Sequence, residues 1–146
     1  HAPIRGFYAS RDVPRLVVVD KVNGGGKADA LNAAINCSRS ELVCAIDADS
    51  ILEDDALLRV VRPFIDEPQL TVAAGGSIRI VNGCRVDAGR VVEVRLPRSY
   101  LALVQIMEYL RAFLMARLAL GRMQVLTVIS GAFGLFRRDV MVEIGG

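Results

Sequence analysis

Leu42-Val43-Cys44-Ala45-Ile46-Asp47-Ala48-Asp49-Ser50 is the stretch from which the rest of the chain is read. Its apolar run does not alternate, so it predicts a strand buried on both faces that stops at two carboxylates. Beyond the C-terminal end of such a strand the chain turns outward, where open α/β sheets take their ligands. In an extended turn, side chains two residues apart point the same way. Asp47 and Asp49 are therefore candidates to hold one hard cation, Mg²⁺ or Mn²⁺, with phosphate oxygens filling its remaining positions. A plainer reading stays open here. Asp and Ser are ordinary turn formers, and Ser50-Ile51-Leu52-Glu53 has the spacing of a capping box ahead of a helix.

Toward the N-terminus, Leu16-Val17-Val18-Val19-Asp20 predicts a short β-branched strand, and the residues up to Pro14 read as a loop or arm. Asn23-Gly24-Gly25-Gly26 can take positive φ at several places. A helix is expected from Lys27, with Ala28, Leu31, Ala34 and Ile35 on one face and Asp29 in its first turn, ending near Cys37. Strand, helix and strand in succession predict a βαβ unit, hence a parallel sheet with a right-handed crossover. The glycines with Lys27 could offer N–H groups and an ammonium to a phosphate. They are not a Walker loop: Lys21 stands where its first glycine belongs, and Ala28 where Ser or Thr would hold Mg²⁺. A flexible turn is the alternative.

Toward the C-terminus, a helix is expected over 53–66, with Leu57, Leu58, Val61, Phe64 and Ile65 inward and a kink or tightened last turn at Pro63. Strands are expected at Gln69–Ala74, Ser77–Val81 and Val91–Leu96, with Asn82-Gly83 as a turn. Tyr100–Leu120 is the longest helical pattern. Gln105, Glu108, Arg111 and Arg117 interrupt it too often for a membrane span, so it suits a core helix or one lying at a membrane interface. Val125–Ile129 predicts a strand, Ser130 to Gly134 a glycine-rich turn, Leu135–Arg137 a strand, and Arg138–Ile144 a short helix capped by Gly145.

At 146 residues the chain is a single domain's worth, 1–146, and its 53% apolar content is high for its size. With a net charge of +2 and no basic run, nucleic acid is not an expected partner. Cys37, Cys44 and Cys84 lack metal-ligand spacing and read as small buried residues. The one histidine, His1, is terminal, which argues against histidine chemistry. The chain begins without Met and reads as a piece of a longer protein.

Two resemblances bear on function. Ile46 to Leu52 resembles the first motif of haloacid-dehalogenase-type phosphatases, in which Asp47 would be nucleophile and Asp49 general acid; Val125 to Ser130 could pass for their second motif. No acidic pair follows Ser130, however, and a βα unit precedes the motif.

The order of motifs is similar to something else. Gly25-Gly26-Lys27-Ala28-Asp29-Ala30-Leu31-Asn32-Ala33-Ala34 precedes Ala45 to Ser50. Val128-Ile129-Ser130-Gly131-Ala132-Phe133-Gly134-Leu135-Phe136-Arg137-Arg138 and Glu143-Ile144-Gly145-Gly146 follow much later. From Leu16 onward this resembles the family 2 processive glycosyltransferases, which make cellulose, hyaluronan, chitin and poly-N-acetylglucosamine. The resemblance implies an α/β, GT-A-type (Rossmann-like) nucleotide-sugar domain, truncated, with a mostly parallel sheet flanked by helices. It implies inverting transfer from a nucleotide sugar, usually UDP-linked, to a growing glycan. Lys27 would lie near the diphosphate, Asp47 beside the nucleotide or sharing the cation, and Asp49 on Mg²⁺ or Mn²⁺. Ser130, Gly131 and Ala132 would line the acceptor end. It also implies a parent at the cell membrane, its catalytic domain cytoplasmic, held through segments outside this chain or through the 100–120 helix.

The departures matter as much. The strands that grip the base would lie before His1, and the Thr-Glu-Asp motif with the general base after Gly146. The expectation is therefore an inactive fragment with an unpaired sheet edge that self-associates. The competing class is a non-catalytic nucleotide-binding or interaction module using the Tyr100–Leu120 face.

Overall fold

The computed structural model describes residues 2–116, 120–121, 123 and 129–145. By contacts the chain divides into two compact units, His1–Val43 with Phe136–Gly146, and Cys44–Leu135.

The first unit opens with a correction. Ile4–Ala9, expected as a loop, is a strand, β1, paired antiparallel to β2, Val17–Lys21. The register sets Phe7 opposite Val19 and Tyr8 opposite Val18, so bulky and β-branched side chains meet across the pair. Ser10 organises the connecting loop: its Oγ accepts the Val13 N–H at 3.0 Å, and its N–H donates to the Leu16 carbonyl at 2.9 Å. Among the described residues this hairpin stands where the βαβ pairing was expected, β2 forming a two-stranded sheet with β1. A partner a few residues away closes a shorter loop than one beyond a helix.

Helix α1, Lys27–Cys37, has the bounds the periodicity predicts, but it buries Ala33 with Ile35, while Ala28 and Ala34, expected on the inner face, are exposed. Its C-terminus is closed by Arg138, whose Nε donates to the Ile35 carbonyl at 3.1 Å while its N–H bonds the Glu41 carbonyl at 2.9 Å. An arginine at the negative end of a helix satisfies a carbonyl that has no partner within the helix. Arg138 thus opens the short helix α4, Arg138–Glu143, and caps α1 at once. Gly145 follows with φ +93°, the left-handed stop expected of it.

Strand β3 is Leu42–Ile46, as predicted, but it is not buried on both faces: Cys44 is exposed, and so is Cys37. A three-stranded sheet has the order β3, β7, β4, with β7 at Phe133–Arg137 and β4 only Ala73–Gly75. So small a sheet cannot cover both faces of its edge strand.

Within the second unit, helix α2 runs Ala56–Asp66. It turns Val60 and Phe64 inward, whereas Leu57, Leu58 and Ile65, expected on the inner face, are exposed. The i, i+4 pair alone fits the narrow stripe that a three-residue strand can cover. The capping box does not form. The helix begins beyond it, after Asp55, and Glu53 instead pairs with Arg59, which also meets Asp55 at 2.8 Å. Pro63 ends the helix usefully, its carbonyl accepting from Glu67 N–H and Thr71 Oγ1. Ser77–Val81 is not a strand. Asn82-Gly83 is the predicted turn, with Gly83 at φ +90° and Cys84 N–H bonded to the Val81 carbonyl. The strand expected at Val91–Leu96 is Arg90–Glu93, β6, hairpinned antiparallel to Arg85–Asp87, β5, through Ala88-Gly89, both at positive φ.

Helix α3, Tyr100–Leu110, continues into a π-helical stretch, Arg111–Ala116. The core of the unit gathers Val60, Phe64, Ala102, Phe113, Phe133 and Leu135. No described helix is long and apolar enough to cross a membrane. The end of the Tyr100–Leu120 pattern and most of the strand expected at Val125–Ile129 lie outside the described residues. The described sheets are therefore small, and the two hairpins are antiparallel rather than parts of one mostly parallel sheet.

Candidate functional site

The turn after β3 is a reverse turn rather than extended chain. Ser50 N–H donates to the Asp47 carbonyl at 3.1 Å, so Asp47 takes the first position of the turn and Asp49 the third. The strand alternation that placed both carboxylates on one face stops at Ile46. Asp47 is half-buried and Asp49 exposed.

Asp47 is tied to the far end of the unit. Its N–H donates to the Ala132 carbonyl at 3.2 Å. The sheet order explains the meeting, because β7, which follows Ala132, lies beside β3, which precedes Asp47. Ser130 shapes the loop from within, its Oγ accepting the Ala132 N–H at 3.3 Å. Ser130, Asp47 and Ala132 are all half-buried, and the buried run begins just after them with Phe133, Gly134 and Leu135.

Two glycines that the sequence offers only as a joint prove to hold this loop. A Cβ on Gly76 would run into the Phe133 ring, and one on Gly75 would come within 2.7 Å of Ile129 Cγ2. Gly75-Gly76 therefore lets the chain on either side of Ser130–Ala132 pack down. The signal available was the glycine pair at a strand end, where close backbone approach is the usual reason for glycine.

Lys27 belongs to the first unit, at the first residue of α1. Before it, Asn23 Oδ1 accepts the Gly25 N–H at 2.9 Å, and Gly25 and Gly26 stand at φ +83° and +124°. Gly24 is glycine for another reason: a Cβ there would strike the Asp29 carboxylate. Asp29 is bonded by Lys21, which also donates to the Asp29 carbonyl at 3.1 Å. That bond lowers the Asp29 pKa from its ordinary value. Lys21 and Asp29 thus brace the glycine loop between β2 and α1, a role that sequence reading missed.

Arg137 is engaged with Asp139, whose pKa it lowers by that hydrogen bond. Among the described residues no group of three or more His, Cys, Asp or Glu side chains could hold a metal by itself.

Over residues 7–146 the chain matches the family described as glycosyltransferase like family 2. It is 25% identical over 139 residues to the poly-beta-1,6-N-acetyl-D-glucosamine synthase of Staphylococcus aureus, covering 95% of this chain and 30% of that protein. To the protein of the same name from Staphylococcus epidermidis it is 27% identical over 127 residues, 87% of this chain and 27% of the relative. The chain thus spans less than a third of the length of these curated relatives. The family match takes in the Lys27 loop, the Asp47–Ser50 turn and the Ser130–Ala132 loop alike, and the chain belongs to glycosyltransferase family 2.

Proposed function

We propose that this chain is the donor-handling part of a glycosyltransferase that passes a sugar, with inversion, from a UDP-linked nucleotide sugar to a growing glycan. The observation that carries this reading is the Asp47 N–H to Ala132 carbonyl bond, which supports treating the Asp-x-Asp turn and the Ser130-Gly131-Ala132 loop as neighbouring walls of one site. In this reading Asp49 is the ligand to Mg²⁺ or Mn²⁺, and Asp47 stands beside the nucleotide or shares the cation. Lys27 offers its ammonium to the diphosphate, and Ser130, Gly131 and Ala132 line the acceptor end. A bound cation would offset the charge that grows on the leaving diphosphate.

The acceptor hydroxyl must lose a proton as it attacks. The residue that accepts this proton is not assigned, and the 146-residue chain alone is proposed to bind donor without turning it over. The names of the relatives make a poly-N-acetylglucosamine the first acceptor to try, and a parent acting at the cytoplasmic side of the cell membrane goes with this reading. Family membership supports transfer over phosphatase chemistry at Asp47. The apolar side chains left open on β1 and β2, Phe7, Tyr8, Val17 and Val18, support self-association of the isolated chain.

Titrating UDP with Mn²⁺ into the chain and into Asp49→Ala tests the proposal. Metal-dependent binding that the variant loses is the expected result. Equal binding by both would overturn the assignment of Asp49. No binding by either would leave the non-catalytic interaction module as the better reading.

A further inference from the structure

Lys21 closes β2 and Asp29 stands in the first turn of α1, with the glycine loop that leads to Lys27 strung between them. An acid in the first turn suits the positive end of a helix, but it also repels a second anion brought to the same end. This one lies against the loop itself: a Cβ on Gly24 would come within 2.8 Å of Asp29 Cγ. A diphosphate approaching Lys27 would meet that carboxylate within the same helical turn.

The charge is answered from β2. The Lys21 ammonium bonds the Asp29 carboxylate and donates to the Asp29 carbonyl at 3.1 Å. Both side chains are largely covered, 11% and 20% exposed, so water and salt screen this pair less than the exposed pairs elsewhere in the chain. Lys21 is the foremost of the groups that hold the Asp29 carboxyl below its ordinary range, ahead of the Ala2 N–H. Asp20, the other acid in residues 20–29, is met by Arg5 of β1 at 3.8 Å. Both carboxylates of this segment are thus matched by cations of the β1–β2 hairpin.

We propose that Lys21 is a positioning residue of the diphosphate site, which neutralises Asp29 so that the Gly24–Lys27 loop can receive an anion, without touching the ligand itself. This rests on the reading of Lys27 given above. The test is calorimetric titration of UDP with Mn²⁺ into the parent chain, Lys21→Met, Asp29→Asn and the double variant. Lys21→Met keeps the length of the side chain and removes its charge, and should bind about tenfold more weakly because Asp29 is left unmatched. Asp29→Asn leaves the ammonium unmatched and should bind about threefold more tightly. The double variant, neutral at both positions, should return to within about threefold of the parent. A brace that served only the shape of the loop would weaken binding in all three variants, so the signs separate charge from structure. A covered carboxylate stripped of its partner is costly, and should Lys21→Met fold poorly the other two variants still decide. A double variant that stays tenfold weak, or Asp29→Asn binding no more tightly than the parent, would overturn the proposal. If the parent chain binds UDP, loses it with Asp49→Ala and is indifferent to Lys21→Met, the donor-site reading stands and this inference falls. If the parent binds no UDP at all, both fall.

Discussion

The backbone N–H of Asp47 donates to the carbonyl of Ala132 at 3.2 Å, joining the turn after one strand to the loop before its neighbour. A main-chain bond of this kind does not depend on either side chain, so carboxylates can be removed without dismantling the junction. Asp49→Ala, at an exposed position, should keep the melting temperature of the parent chain. It should weaken Mn²⁺-dependent UDP binding by tenfold or more, about 1.4 kcal/mol. Calorimetric titration beside a thermal melt reads both quantities.

Gly76→Ala is expected to act through Phe133. The new methyl group occupies the place of the ring, which is buried and has no easy retreat. Overpacking of this kind costs about 1–3 kcal/mol. Urea unfolding should show a lowered midpoint, and because Gly76 is not at positive φ, the loss reads the packing clash rather than backbone strain.

The bond between Lys21 and Asp29 gives a pH dependence with a definite sign. The folded-state pKa of Asp29 lies below its ordinary 3.8, so its contribution is fully present above that value. It is lost as pH falls from there through the lowered folded pKa. Asp29→Asn should flatten that part of the stability curve and leave neutral-pH behaviour nearly parallel to the parent chain. Unfolding midpoints measured from pH 6 to pH 2 check it, and an unchanged acid limb in the variant would count against the brace.

Sugar transfer is the remaining expectation. Supplied with a UDP-sugar, Mn²⁺ and a poly-N-acetylglucosamine primer, the 146-residue chain should release no UDP above background. Turnover would mean that a carboxylate of this chain acts as base.

What the sequence determined by itself was local. Leu42–Ile46, α1 and the Asn82-Gly83 turn were legible because apolar periodicity and turn chemistry act over a few residues. The motif order was legible for the same reason, and with it the family. Tertiary structure decided the rest. Ile4–Ala9 is a strand only because β2 offers it a partner, and Leu57, Leu58 and Ile65 stay outside because the sheet beneath α2 is too short to cover them. Asp47 meets Ala132 because β7 inserts beside β3, and Gly76 must be glycine because Phe133 arrives there. The last two depend on a segment far away in the chain, and the first two on how neighbouring elements pair and cover one another, which the periodicity of a single element does not carry.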